Sequence, residues 1–216
     1  RASVAGASFG GGLGMMQSQF ATTKFEETPP TAIPFYAALG RMTVEWNGVE
    51  NHMRKLLSGF IGAPSKTEQI IVSHILTVEL GSMGLINALN AYAEEWLPLD
   101  QGGAIKHATK YFNTLRVYRN YYTHDLADVI SFPSGAIGMI NTADAKAKLV
   151  YRQEQIDIEK ITFVAEHCHV LRWYLRCLMG SLFWERLLGA PAGAQRPPLP
   201  DKPPVPDGLL KPGTRL

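Results

Sequence analysis

Residues 39–60 read LGRMTVEWNGVENHMRKLLSGF, and their apolar side chains decide the fold class. Seven of these side chains recur at alternating spacings of three and four residues: Leu39, Met42, Trp46, Val49, Met53, Leu56 and Phe60. Such spacing places one apolar stripe along a helix, as in the seam of a helical bundle. Pro34 suits the start of this helix, and Gly62 with Pro64 suits its end.

The sequence predicts three further helices. The second begins at Ser65-Lys-Thr-Glu68, which has the pattern of a capping box, and continues to Trp96. Gly81 and Gly84 in its middle predict a kink or a close approach to another helix. The third helix is expected from about residue 104 to residue 130, and the fourth from about residue 157 to residue 188. The fourth repeats the alternating stripe, with Ile161, Val164, Cys168, Leu171, Leu175, Leu178 and Leu182.

The segment between the third and fourth helices, residues 137–153, has the pattern of an extended chain. Ile137–Ile140 and Lys148–Arg152 flank a polar stretch, which predicts a small β-hairpin. The expected fold is therefore all-α: a four-helix up-and-down bundle with a β-hairpin inserted before the last helix.

Glycine and proline divide the 216 residues into three parts. Residues 1–29 are expected to form a flexible Gly-rich segment, and residues 30–189 a single helical domain. Residues 190–216 contain eight of the fourteen prolines and predict a flexible tail with polyproline II character.

Charge and cysteine content exclude several classes of protein. The formal net charge of +2 belongs to the Pro-rich tail, because residues 30–189 hold 21 − 6 = 15 basic and 19 − 4 = 15 acidic side chains. A neutral domain excludes binding of nucleic acid by bulk electrostatic attraction alone. The two cysteines, Cys168 and Cys177, are too few for a disulfide framework and suit a reducing compartment. With no secretory signal and no apolar run near the roughly 20 residues that span a membrane, a cytoplasmic location is expected.

The third predicted helix has an unusual distribution of charge. No acidic residue lies between Gln101 and His124, whereas Lys106, Lys110, Arg116 and Arg119 all do. A projection at about 100° per residue separates two faces. One face, which we call the polar strip, contains Arg116, Arg119, Asn120, Thr123 and His124. The opposite face contains Tyr111, Phe112, Leu115, Tyr118, Tyr122, Leu126, Val129 and Ile130. A solvated helix surface would also carry polar residues, although such surfaces usually mix both signs of charge.

Arg119-Asn120-Tyr-Tyr-Thr-His124 resembles the R-x4-6-H signature of HEPN domains, in which a polar residue commonly follows the arginine. In that family the signature lies near the end of the third helix of a four-helix bundle. The resemblance extends over roughly residues 34–188. It implies a metal-independent endoribonuclease, usually a homodimer, whose two signature helices face each other across a composite cleft. A toxin or defence role, with an antitoxin or another partner protein, is a further implication.

The resemblance assigns catalytic roles to Arg119, His124 and Asn120. RNA cleavage without a metal uses the ribose 2′-OH as nucleophile, so an imidazole such as His124 suits general acid–base catalysis. The guanidinium of Arg119 suits the negative charge of the transition state, and Asn120 suits the orientation of phosphate or imidazole. Arg116, Lys110 and Thr123 are expected to bind single-stranded RNA, with no cofactor and no metal.

Two alternatives remain open. The first is a HEPN-like bundle without catalysis that binds nucleotide or RNA, or that mediates dimerisation. The second is a helical interaction protein whose polar strip is simply solvated. Glu166-His-Cys-His169 contains one E-x-x-H motif, but di-iron bundles require a second, so no metal site is predicted.

Overall fold

A computed structural model of the protein describes residues 30–62, 73, 75–123, 126–131, 137–145, 148–155, 157–184 and 195–206. The predicted flexible segment at residues 1–29, the capping box at Ser65–Glu68 and His124 all lie outside the described residues.

Four long helices account for most of the described residues. They are α1 (Ile33–Ile61), α2 (Ser82–Trp96), α3 (Leu99–Thr123) and α4 (Ile158–Leu182). A single 3-10 turn (Pro30–Ala32) precedes α1, and residues 75–78 are also helical. The prediction of a mainly helical protein is confirmed.

Helices α1 and α4 form the centre of the core, as their sequence stripes predicted. Met42, Trp46, Val49, Met53 and Leu56 of α1 are buried. The first six of the seven stripe residues of α4 are buried as well: Ile161, Val164, Cys168, Leu171, Leu175 and Leu178. Pro34 lies in the first turn of α1, and the Gly62 amide closes its last turn by donating to the carbonyl oxygen of Ser58 at 2.8 Å.

The second predicted helix is two segments that run in opposite directions. Ser58 of α1 shares a hydrogen bond of 3.0 Å with Thr77, whereas Glu50 of α1 accepts one of 3.1 Å from Ser82. The chain between residues 77 and 82 therefore runs back along α1 by about two turns. The prediction of one helix to Trp96 with a kink is wrong, because the chain reverses around Gly81.

The directions of the helices differ from the predicted up-and-down order. Helix α2 runs parallel to α1, since Ser82 lies beside Glu50 and the Tyr92 ring stacks on Phe60 at 4.5 Å between centroids. Helix α4 is also parallel to α1, because Glu45 meets Arg172 and Gly59 meets Phe183. Helix α3 is antiparallel to both α2 and α4. The predicted up-and-down order of four helices is therefore wrong. The cause is the segment before Gly81, which runs antiparallel to α1 and leaves α2 parallel to α1.

The third predicted helix ends earlier than expected. Helix α3 stops at Thr123, and residues 126–131, predicted to be its last turns, form strand β1 (Leu126–Ser131). Strands β2 (Ile137–Ala145) and β3 (Lys148–Gln155) cover both halves of the predicted hairpin. The three strands form one antiparallel sheet in the order β1-β2-β3. Ser131 pairs with Ile137, and Ala145 pairs with Lys148. A three-stranded sheet thus stands where the sequence predicted a two-stranded hairpin.

Residues 195–206, which we call the strap, pack along the bundle instead of extending freely. The hydroxyl of Ser181 in α4 donates to the carbonyl oxygen of Pro198 at 2.7 Å, and Arg196 Nε donates to the carbonyl oxygen of Ser181 at 2.8 Å. Leu199 and Val205 contact the core. The sequence predicted a flexible tail from residue 190, and for residues 195–206 that prediction is wrong.

Candidate functional site

Helix α3 has one buried face and one half-exposed face, as predicted. Its aromatic and aliphatic side chains enter the core: Tyr111, Phe112, Leu115, Tyr118 and Tyr122. Four members of the polar strip, Arg116, Arg119, Asn120 and Thr123, are half-buried on the other face. The fifth, His124, follows the last residue of α3 and lies outside the described residues.

Contacts to α1 and to its own helix hold the guanidinium of Arg119. Its Cζ lies 5.8 Å from the ring centroid of Trp46, and its Nη1 donates to Asn120 Oδ1 at 3.1 Å. Trp46 is itself fixed, because its ring is buried and stacks on Phe112 at 4.6 Å between centroids. A cation above an indole face gains about 0.5–1 kcal/mol at a partly exposed site. Arg119 is thus oriented before any ligand binds, which is the property that a phosphate-binding arginine needs.

Asn120 and Thr123 have more restricted roles than the sequence suggested. The Asn120 side-chain oxygen accepts from Arg119, so this amide orients the guanidinium within the protein. The Thr123 hydroxyl donates to the carbonyl oxygen of Arg119 at 2.8 Å. Its proton is therefore committed to the helix backbone, and in this rotamer Thr123 offers a ligand only acceptor capacity.

Lys106, one of the four cations of α3, has an acidic partner. Lys106 Nζ lies 2.9 Å from Glu94 Oε1 of α2, so an acidic residue outside the acid-free interval of α3 compensates the charge of Lys106. The sequence interval between residues 101 and 124 contains no acid, but α2 supplies one across the helix pair. Arg116 Nε donates to Asn113 Oδ1 at 3.1 Å, which positions its guanidinium along the helix.

A cleft of about 300 Å³ opens between α2 and α3, and Lys110 lies on its edge. We call it the α2–α3 cleft. Its walls are formed by Ile86, Asn90 and Glu94 of α2 and by Lys106, Thr109, Lys110 and Asn113 of α3. The charge pattern of α3 identifies Lys106 and Lys110, but it does not indicate the residues of α2 that complete the cleft, because no local pattern shows which face of α2 meets α3.

The residues of the E-x-x-H motif point in different directions. Cys168 is in the core, where burial, with a smaller contribution from Glu45, raises the pKa of its thiol to about 12. His167 Nδ1 shares a hydrogen bond with the Tyr111 hydroxyl, and burial lowers the pKa of this imidazole. His169 is at the surface, 3.4 Å from Glu45. Within the described part of the chain, no three His, Cys, Asp or Glu side chains come together as metal ligands.

His107 is a half-buried histidine that no motif in the sequence indicates. Its ring packs edge-on against Tyr174 of α4, with centroids 5.6 Å apart. Burial lowers the pKa of His107, Lys202 of the strap and Lys110 lower it further, and the backbone of Pro203 acts in the opposite direction. Charges from the strap and from α3 both act on this imidazole, so His107 lies where the strap meets the bundle.

Comparisons with protein-family models, with curated proteins and with solved structures found no match to this chain. Among the helices that the structure describes, none combines the length and apolar character needed to cross a membrane.

Proposed function

We propose that this protein is a HEPN-like, metal-independent endoribonuclease that acts through the polar strip at the end of α3. The proposal combines the resemblance of Arg119-Asn120-x3-His124 to the HEPN signature with one structural observation. That observation is the orientation of the Arg119 guanidinium by Trp46 and Asn120 at a half-exposed position.

The proposed reaction is an internal transesterification. The 2′-oxygen of the ribose attacks the adjacent phosphorus, the bond to the 5′-oxygen breaks, and a 2′,3′-cyclic phosphate and a 5′-hydroxyl result. His124 moves the proton from the 2′-OH or to the leaving oxygen. Arg119 stabilises the extra negative charge on the phosphoryl oxygens with its planar set of donors. Asn120 holds that guanidinium in place, and Arg116 with Lys110 binds the RNA backbone.

The assembly is part of the same proposal. Two copies would pair so that their polar strips face each other, and single-stranded RNA would lie between them. A second polar strip would add the positive charge that a single neutral domain lacks. A toxin or defence role, and control by an antitoxin or another partner protein, follow from the family resemblance alone.

Cleavage of a labelled single-stranded RNA in EDTA tests the proposed activity. Wild-type protein should produce fragments that end in 2′,3′-cyclic phosphate. Arg119→Ala and His124→Ala should each lower the rate by at least about 100-fold, as losses of an oxyanion donor or a general acid–base do. Arg119→Lys keeps the charge but loses the planar fork, so it should remain well below wild type.

Two matched variants serve as controls. Arg41→Ala removes an exposed arginine of α1, and His169→Ala removes an exposed histidine of α4. Both should cleave at the wild-type rate. If Arg119→Ala and His124→Ala cleaved as fast as these controls, the proposed site would be wrong.

A non-catalytic HEPN-like bundle is the second candidate function. The observation that favours it is a group of exposed apolar side chains on α4, where Phe163, Val170 and Trp173 are 37%, 40% and 61% exposed. Such side chains suit a surface for a second copy or a partner protein. The RNA assay separates the two functions, because the second candidate binds nucleotide or RNA, or dimerises, without producing cyclic phosphate ends.

A further inference from the structure

The α2–α3 cleft is separate from the residues assigned to catalysis. Lys110, on its edge, precedes Arg119 by nine residues of α3, which corresponds to about 13 Å along the helix axis. Lys110 is therefore about two and a half turns of α3 from Arg119, whereas Asn113 of the cleft contacts Arg116 of the polar strip.

The Asn113 amide of the cleft is oriented with its oxygen already used. Asn113 Oδ1 accepts from Arg116 Nε, and since arginine has only donors this contact fixes which end of the amide is which. The hydroxyl of Thr109 lies 2.7 Å from Asn90 Oδ1 and 3.0 Å from the carbonyl oxygen of Lys106, so its one proton has two acceptors and does not fix the orientation of the Asn90 amide. Among the described residues neither Nδ2 group donates to another side chain or carbonyl. The Nδ2 group of Asn113 therefore remains as an oriented donor for a ligand in the cleft.

The charges of the cleft leave one cation in excess. Lys106 pairs with Glu94 at 2.9 Å, and their side chains are 50% and 60% exposed. Lys110 is exposed, and no acidic side chain among the described residues pairs with it. A cleft with one net positive charge, the amide donor of Asn113 and the apolar side chain of Ile86 suits an anion that accepts several hydrogen bonds and carries an apolar group.

We propose that the α2–α3 cleft binds a phosphate ester, with Lys110 and the Asn113 amide on the phosphoryl oxygens and Glu94 limiting the affinity. The carboxylate of Glu94 both holds Lys106 and repels an anion, so it weakens binding. The ester has two possible sources: a free mononucleotide, or a phosphodiester of the RNA that is cleaved at the polar strip. The second source rests on the proposed function, whereas the first does not.

Binding of two probes to the full chain tests this site. The probes are adenosine 5′-monophosphate, followed by calorimetry, and a fluorescein-labelled 10-mer of 2′-O-methyl RNA, followed by anisotropy. The methylated RNA has no free 2′-OH and cannot be cleaved. Lys110→Gln should raise the dissociation constant about tenfold, the size expected for one charge-assisted hydrogen bond. Glu94→Gln should lower it severalfold, because it frees Lys106.

The gain of affinity in Glu94→Gln is the decisive result, since a variant that misfolds would lose binding. Lys55→Gln is the matched control: it removes one charge from an exposed lysine of α1 and should bind both probes like wild type. For the RNA probe, Lys110→Gln should also make the slope of log K against log salt shallower by about 0.7.

The arms separate the two sources of the ester. An effect on the mononucleotide alone assigns the cleft to a free nucleotide, and an effect on both probes assigns it to the phosphate that they share. If neither probe bound to wild type, or if Lys110→Gln and Glu94→Gln both behaved like Lys55→Gln, the cleft would not be a phosphate-ester site. His124→Ala should abolish cleavage yet keep binding in the cleft, so failure of the nuclease proposal and failure of this one give different results.

Discussion

Gly102 of α3 lies against the backbone of α2 at Ala93, and its missing side chain has an energetic consequence. A Cβ at this position would lie 2.9 Å from the carbonyl oxygen of Ala93. Because that oxygen belongs to helix backbone, it cannot rotate away. We expect the steric clash in Gly102→Ala to cost about 1–3 kcal/mol. The higher helix propensity of alanine returns at most about 1 kcal/mol, so the free energy of unfolding should fall. Urea denaturation followed by circular dichroism measures the difference.

Gly40 provides the matched control, since it lies in α1 and a Cβ there would meet nothing within 4 Å. Gly40→Ala should raise the free energy of unfolding by up to about 1 kcal/mol. Equal stabilisation by both substitutions would contradict the close approach of α2 and α3 at Gly102.

The candidate site illustrates which residues a sequence can identify. The two faces of α3 follow from spacing alone, so Arg116, Arg119 and Asn120 were identified as one polar group. The support of Arg119 by Trp46 was not predicted, because the two residues are on different helices and only the tertiary packing of α1 against α3 brings them together. The pairing of Lys106 with Glu94 escaped prediction for the same reason.

Asp157 determines where α4 begins. Its side chain accepts from the Lys160 amide at 3.1 Å, and the Lys160 ammonium lies 3.1 Å from its other oxygen. We expect Asp157→Ala to lower the free energy of unfolding by about 0.5–2 kcal/mol, since the first turn of α4 loses its cap. Asp157→Asn keeps an amide-accepting oxygen, so its cost at neutral pH should be smaller.

The carboxylate of Asp157 should also make the stability of the fold depend on pH. Burial raises the pKa of Asp157, but the hydrogen bonds from Lys160 and the charge of Lys160 outweigh burial, so the net pKa is below 3.8. A carboxyl whose pKa is lowered by folding stabilises above its unfolded pKa and loses that contribution as the pH falls through the folded value. The difference in stability between wild type and Asp157→Asn should therefore shrink below about pH 4, as measured by urea denaturation at several pH values. A constant difference would show that the charge of Asp157 does not contribute.

At the level of elements, prediction succeeded where the signal was local. Helices α1 and α4 carry continuous stripes of large apolar residues, and both were predicted correctly. The end of α3 was not, because Leu126, Val129 and Ile130 fit a helical spacing as well as a strand. Pairing with β2, up to Asn141, decides in favour of the strand. The reversal near Gly81 likewise depends on hydrogen bonds that Ser82 and Thr77 share with Glu50 and Ser58 of α1, which no local pattern reveals.

The strap adds residues 195–206 to the folded part of the molecule. Its composition, rich in proline and poor in periodic apolar residues, is typical of an unpacked segment. Its packing depends instead on hydrogen bonds with Ser181 of α4 and on the contacts of Leu199 and Val205 with the core. Polyproline II geometry costs little ordering entropy, so a few contacts are sufficient to hold such a segment.

A double-mutant comparison tests whether the strap contributes to stability as this packing requires. In the full chain Ser181→Ala removes the donor to the Pro198 carbonyl, at 2.7 Å, and should lower the free energy of unfolding by about 1–2 kcal/mol. In a chain that ends at residue 194 the same substitution should change it by less than about 0.5 kcal/mol, because only the bond within α4 to the Cys177 carbonyl is lost. The difference between the two effects is the coupling energy of Ser181 with the strap. Urea denaturation of the four proteins measures it, and equal effects in both chains would mean that the strap does not stabilise the bundle through Ser181.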